Sequence, residues 1–283
     1  MSQKSYDNSP TLYLIPTPIG NMDDITLRTI KILQFVDVIF SEDTRVTGQL
    51  LKSLNIKKPL IANHEHNERQ NSEKLIQFLK EGKNVGLASD RGTPIISDPG
   101  YALSKIAIEA GYNVVSLPGA TALIPALTSS GIEPNPFLFY GFLSSKESKR
   151  KKELENLKDF PYTLIFYEAP HRIKDTLQNI SHIFGERNIS ISREITKKFE
   201  EVYRGTISEV LLEIEDAKGE MVLVVTGNHD EKNYDSLSII DHVNIYLTQG
   251  YNTKEAIKKV AKDRNVKTSE VYNEYHGIKQ VDL

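Results

Sequence analysis

Cysteine is absent from the 283 residues, which removes disulfides, thiolate nucleophiles and cysteine-ligated zinc from the available chemistry and fits a reducing compartment. Long apolar runs are also missing. No stretch approaches the roughly 20 apolar residues of a membrane span, and residues 1–10 are polar, without the apolar centre of a secretory signal. The expectation is a soluble, cytoplasmic protein. Neither sign of charge dominates: 35 Lys and Arg against 38 Asp and Glu give a net of −3, so any nucleic-acid surface has to be a local patch. Two nucleotide signatures are missing as well. No Gly-x-Gly-x-x-Gly opens the first predicted helix and no Gly-x4-Gly-Lys-Ser/Thr loop occurs, which disfavours the usual NAD and ATP enzymes.

What is present is a β-then-α rhythm, in a chain long enough for about two domains. Apolar runs at 12–16, 36–40, 59–62, 84–89 and 112–117 alternate with helical patterns near 24–34, 44–54, 71–81 and 100–110, which predicts a parallel sheet with helices on its faces. Gly82 and Gly111 read as helix stops, and Asp43 or Thr44 as the cap of the second helix. The segment Gly131 to Pro136 holds two prolines and a glycine and breaks the rhythm. Beyond it, strands are predicted at 137–141, 163–168, 189–194, 201–205 and 221–225, with helices at 146–157 and 171–184. The fold class expected is α/β: an N-terminal domain over 11–130, a second α/β domain with a mixed sheet over 137–227, and a small helix-turn-helix-like domain over 236–283 after a polar linker. Within that last domain, 254–267 carries six basic and two acidic residues, readable as a phosphate-facing patch or as a solvated helix face.

The loop from Ser89 to Tyr101 is the densest chemical feature. It follows an apolar run and crowds Asp90, Asp98, Gly92, Gly100, Pro94 and Pro99 into one connection. Glycine lets a ligand approach backbone, proline stiffens the loop, and ligands of open α/β sheets sit at such strand ends. The first strand runs into Pro16-Thr-Pro-Ile-Gly-Asn21, a rigid turn with few freely pointing backbone donors, suited to a ligand without phosphates.

These two segments, with Ser41 to Arg45, Asn63 to Asn67, Leu117 to Ala120, Gly141 to Leu143, Phe166 to Arg172 and Arg193 to Lys197, together resemble the ribosomal-RNA-methylating members of the tetrapyrrole methylase superfamily. The resemblance is ordered over about residues 11–226, and the tail resembles the small helical domain of many members. It implies S-adenosylmethionine as methyl donor, held in a cleft between two domains of a homodimer subunit. It also implies the 2'-hydroxyl of a cytidine in the decoding region of 16S rRNA, in the small ribosomal subunit, as acceptor. The family's donor contacts fall on Pro16, Asp90, Gly92, Thr93, Ala120, Thr121, Leu143, Glu168, Ala169 and Met221, with backbone near Gly219. One departure stands out: a small residue usually follows the loop aspartate, and here it is Arg91. Pointed at a sulfonium its charge would be repulsive, so it is expected to face outward or to meet a phosphate.

Methylation of a hydroxyl is an in-line displacement that benefits from a proton acceptor and from alignment. Glu42, Asp43 and Glu168 are the leading catalytic candidates among loop carboxylates that also include Glu65 and Asp98; Asp43 and Asp98 are alternatively helix caps. Arg45, Lys149, Arg150, Lys151, Arg172 and Arg193 are candidate RNA contacts, with internal salt bridges as the alternative for Arg45, Arg172 and Arg193. His64 and His66 with Glu65 are too few to close a metal site, and no metal is expected. Two rival functions remain: a small-molecule methylase acting on a porphyrin-like precursor, and a non-catalytic RNA-binding protein that has kept the fold.

Overall fold

The computed structural model describes residues 2–5, 7–64, 67–214, 218–228 and 237–277. Contacts divide the chain into two compact units, one ending at Asn228 and the other holding the remaining described residues.

The first unit contains two five-stranded sheets. The first sheet is built from β1 (Thr11–Ile15), β2 (Val38–Ser41), β3 (Leu60–Ala62), β4 (Val85–Ala88) and β5 (Asn113–Ser116), in the order β3-β2-β4-β1-β5. All its pairings are parallel. Helices α1 (Leu27–Phe35), α2 (Thr44–Ser53), α3 (Glu68–Lys80) and α4 (Tyr101–Glu109) connect the strands. Because strand side chains alternate faces, Leu12 and Leu14 join α3 and α4 residues Leu75, Leu79 and Leu103 on one side, while Tyr13 and Ile15 join Leu33 of α1 and Leu51 of α2 on the other.

That division decides where a ligand can sit. The chain leaves β1 toward one face and leaves the adjacent β4 toward the other. Two neighbouring strands whose connections diverge open a crevice at their carboxyl ends. Here the two loops are also clipped together across the crevice, because Thr17 and Gly92 exchange backbone hydrogen bonds of 2.9 Å in both directions.

The second sheet has the order β6-β7-β10-β8-β9, from β6 (Phe137–Phe142), β7 (Thr163–Glu168), β8 (Asn188–Arg193), β9 (Glu201–Thr206) and β10 (Met221–Val225). It is mixed, as expected: β6 and β7 run parallel and the remaining pairs are antiparallel. One face packs on α6 (Glu147–Leu157), α7 (Ile173–Phe184) and α8 (Ile207–Glu213) through residues such as Leu154, Leu177 and Val210. Its other face is covered by α5 (Leu123–Ser129), whose Ala126 and Leu127 meet Ile165, Val222 and Val224. Helix α5 thus follows the last strand of the first sheet yet closes the core of the second, and Arg204 of β9 holds its end by donating to the Ser129 carbonyl at 2.6 and 3.1 Å.

The second unit is a three-helix cluster, α9 (Ile239–Thr248), α10 (Thr253–Asp263) and α11 (Thr268–Tyr275), around Val243, Ile257, Val260 and Val271. Asn252 and Glu255 form a reciprocal cap that starts α10. Its basic residues do not all face outward. Lys259 lies 4.5 Å from the Tyr251 ring, and Arg264 turns inward to the Leu237 carbonyl at 2.6 Å. Among the described residues, no helix is long and apolar enough to cross a membrane.

Candidate active site

The carboxyl ends of the parallel strands open onto a cavity of about 520 Å³ whose far wall belongs to the second sheet. That is within the range of small-molecule sites, about 300–1,000 Å³. The loop after β4 contributes Asp90, Arg91, Gly92, Thr93, Ile96, Ser97 and Asp98; the other loops of the first sheet add Ile19, Glu42, Thr121 and Ala122, with Val46 from α2. The second sheet contributes Phe142, Tyr167, Met221 and Val222, and its loops add Glu194, Ile195, Lys197 and Glu220.

The β4 loop is held in an uncommon conformation. Gly92, Ile95, Ser97 and Gly100 all have positive φ, with 77° at Ile95. A β-branched residue there is strained, and such strain persists where surrounding structure enforces it, often at functional sites. Gly100 is obligatory on two grounds: its φ is +125°, and a Cβ would lie 2.5 Å from Leu87. Ser89 Oγ donates to the Gly92 carbonyl at 3.0 Å and Thr93 Oγ1 to the Ala120 carbonyl at 3.1 Å, which ties this loop to the one after β5. In turn Gly119 is pressed on Pro16, where an added Cβ would come within 2.5 Å.

The cavity is acidic. Glu42, Asp90, Asp98, Glu194 and Glu220 face it against Arg91 and Lys197, and Lys197 is bonded to Glu194 at 2.8 Å. Burial and crowded like charges act together on Asp98, which is pushed up to about 7, first by burial and then by Glu42, Asp90 and Glu220. Asp43 goes the other way. Its carboxylate caps α2 by accepting from the Arg45 backbone and binds the Arg45 guanidinium, and that hydrogen bonding lowers it to about 2. Its own backbone N–H donates to Asp90 Oδ1 at 2.9 Å, fixing Asp90 at the crevice.

The structure brings six of the expected site residues to the cavity: Glu42, Asp90, Gly92, Thr93, Thr121 and Met221. Pro16 and Ala120 stand behind it as packing and hydrogen-bond supports. Others are placed elsewhere. Glu168 is 1% exposed and occupied on all sides, accepting from Ala169 N–H at 2.8 Å and Thr176 Oγ1 at 2.6 Å and pairing with Arg172 at 3.3 Å. Glu168 and Ala169 are therefore parts of a buried turn and not of the cavity wall. Leu143 is a core side chain whose carbonyl accepts from Arg172 at 2.8 Å. The reason is strand alternation: Leu164, Phe166 and Glu168 share the helix-covered face of β7, leaving Tyr167 on the face with Ile165.

The expected RNA contacts also need correction. Arg150 is buried and donates to Asn179 Oδ1 at 2.9 Å; Arg172 is committed to Glu168 and two carbonyls; Arg193 pairs across strands with Glu201 at 2.6 Å. Arg172 and Arg193 form the internal salt bridges that are their alternative role, and Arg150 is held by a neutral amide. Arg45, Lys149 and Lys151 are exposed, with Arg45 held by Asp43 and Lys151 by Glu147. Arg91 is exposed and borders the cavity. Asp98 is not a cap, since Gly100 is the N-cap of α4 and no side chain caps that helix. Of the histidine cluster, residues 65 and 66 lie outside the described residues.

The loop from Glu194 to Lys197 carried family resemblance but no assigned role. Its signal was present in two glycines far away in sequence: a Cβ on Gly20 would strike the Lys197 stem, and one on Gly219 would strike the Glu194 carboxylate. Both glycines make room for this one loop, whose Thr196 hydroxyl reaches across to Asp24.

A crevice at a topological switch with a divided, acidic wall is a ligand-binding arrangement that the comparisons define further. Residues 11–211 match the family model for tetrapyrrole (corrin/porphyrin) methylases, and the chain belongs to that family. Curated relatives named ribosomal RNA small subunit methyltransferase I include one from Bacillus subtilis, 48% identical over 99% of this chain and 98% of its own. Another from Haemophilus influenzae is 48% identical over 82% of this chain and 84% of its own. The solved methyltransferase CobJ is similar in fold, with a TM-score of 0.60 at 18% identity over 77% of this chain and 95% of its own. A uroporphyrin-III-C-methyltransferase from Thermus thermophilus gives 0.51 at 18% identity over 77% and 92%. The chain is thus a methyltransferase, of a kind that in general uses S-adenosylmethionine.

Proposed function

We propose that this protein transfers the methyl group of S-adenosylmethionine to the ribose 2'-hydroxyl of a cytidine in the decoding region of 16S rRNA, within the small ribosomal subunit. The observation that carries the reading is the acidic cavity at the switch between β1 and β4. When bound, S-adenosylmethionine supplies an electrophilic methyl carbon on a positively charged sulfur. Carboxylates in a confined, partly dry space favour such a cation over a neutral or anionic ligand, and the site offers no phosphate cradle. The rim fits the same ligand, because Gly92 brings backbone rather than side chain to the crevice, and Gly119 packs on Pro16 behind it.

In this reading Asp90 and Thr93 orient the donor, with Gly92, Thr121 and Met221 around it and Pro16, Ala120, Leu143, Glu168 and Ala169 shaping the site from behind. Of the three carboxylates expected to be catalytic, Glu42 borders the cavity, and its role is to hold negative charge beside the sulfonium until transfer. The exposed Arg45, Arg91, Lys149 and Lys151 meet phosphates, a weak and salt-sensitive set that suits a shaped, assembled target better than naked RNA. Relatives named for ribosomal RNA support RNA over a porphyrin-like acceptor. The working assembly is a cytoplasmic homodimer, each subunit divided into domains at 11–130, 137–227 and 236–283. Incubation with labelled donor and small subunits from a strain lacking the enzyme, followed by mapping, tests the reaction and its target: label at one cytidine ribose is the expected result, and binding of donor without incorporation would leave the non-catalytic reading.

A further inference from the structure

Among the cavity's five carboxylates, Asp98 is set apart by its surroundings. Asp90 accepts the Asp43 N–H, Glu42 has an interaction of its own, Glu194 is held by Lys197, and Glu220 is exposed. Asp98 is half-buried, and among the described residues no hydrogen bond occupies its carboxylate. It lies in the strained loop, directly after Ser97 at φ +66°. Ser97 Oγ comes within contact distance of a Cβ built on Gly141, so this loop reaches across to the second sheet. A rigid loop therefore delivers an unengaged carboxylate to the space between the two walls.

We propose that Asp98 is the proton acceptor of the methyl transfer, taking the proton of the attacking hydroxyl. This rests on the reading of the protein as a ribose methylase. The hydroxyl proton passes to a carboxylate oxygen of Asp98 as the oxygen's electron pair forms the bond to the methyl carbon. The pair of the breaking carbon–sulfur bond stays on sulfur, which becomes a neutral thioether. A general base works best when its affinity for a proton matches the working pH. Burial and the charges of Glu42, Asp90 and Glu220 raise Asp98 to about 7. Tyr167, itself pushed upward chiefly by burial, faces it from β7, and Arg91 and Lys197 are the cations of the same cavity. A bound sulfonium adds positive charge and lowers Asp98 in the complex.

Two measurements test the proposal. In the free protein, carbon-13 carboxyl resonances should show Asp98 titrating near 7, and lower once the donor analogue sinefungin, which carries an ammonium group in place of the methylsulfonium, is bound. A midpoint in the ordinary aspartate range near about 4 would overturn the assignment whatever the activity. In methyl transfer to unmodified small subunits, Asp98→Asn should lower kcat by about 10²-fold or more. Donor affinity should stay within about threefold, and the acid limb of the pH profile should vanish. Transfer by the variant within about threefold of wild type, or with the same acid limb, would overturn the proposal alone. Absence of transfer by the wild-type protein itself would instead overturn the ribose-methylase reading, and the proposal with it.

Discussion

The two walls of the cavity are made of different things. The parallel sheet meets it with loops, carrying Glu42, Asp90, Asp98 and four positive-φ residues between Gly92 and Gly100. The mixed sheet meets it largely with strand ends, where Phe142, Tyr167, Met221 and Val222 form a firm apolar face. All strands of a parallel sheet end on one rim, so their connections gather there and can hold charge in chosen positions. In the mixed sheet the rim alternates between strand starts and strand ends. The first sheet thus brings most of the carboxylates and the strained backbone, while the second brings the apolar face and, from its loops, Glu194, Lys197 and Glu220; α5 locks the two into one unit.

The sharpest way to break this comparison is to ask whether the two cores stand or fall together. Leu87→Ala in the first sheet and Leu223→Ala in the second each remove a fully packed side chain and should each cost about 2–5 kcal/mol. Both should shift one common unfolding transition followed by circular dichroism; two separate transitions would show that α5 does not couple the sheets. Next in size is Glu168→Gln. It leaves Arg172 half-paired in a buried setting and should destabilise by about 3 kcal/mol, while calorimetry finds donor affinity unchanged, since the group lies behind the wall.

Glycines separate rim from periphery. Gly119→Ala forces a Cβ to within 2.5 Å of Pro16 and should weaken donor binding by about tenfold or more through a misplaced loop. Gly82→Ala, at φ +80° with nothing nearby, should cost only about 1 kcal/mol and leave binding intact. A pH dependence gives the finest contrast. A carboxyl raised to about 7 binds more protons folded than unfolded, so its effect on stability is neutral below the unfolded value near 4. The protein then loses stability as pH rises from about 4 to about 7. Asp98→Asn should therefore raise the melting temperature at pH 8 and leave it unchanged at pH 4. Asp43 has the opposite sign: lowered to about 2, it contributes stability above about 4 that is lost as pH falls toward 2.

Much of the fold was legible because its signals are local. All ten strands fall on the predicted apolar runs, and Asp43 caps α2 as its position suggested. Helix α5 escaped because it is seven residues long with a proline inside it, and α8 because it too is short and begins directly at the end of β9. Periodicity needs more than two turns to declare itself. At the site, motif position pointed to the β4 loop, which does line the cavity, yet it placed Glu168 in the cleft, although alternation along β7 already allowed only one of Tyr167 and Glu168 to face it.

The order of apolar runs and turn residues determined by itself that this chain makes a parallel sheet, then a mixed sheet, then a cluster of short helices, because hydrophobic period and glycine or proline punctuation act over a few residues. Only the tertiary structure decided which charges share a space. Arg150, Arg172 and Arg193 found internal partners, while Glu42, Asp90, Asp98, Glu194 and Glu220, drawn from distant segments, converged on one cavity. Electrostatic energy depends on distance and burial, and neither is written along the chain.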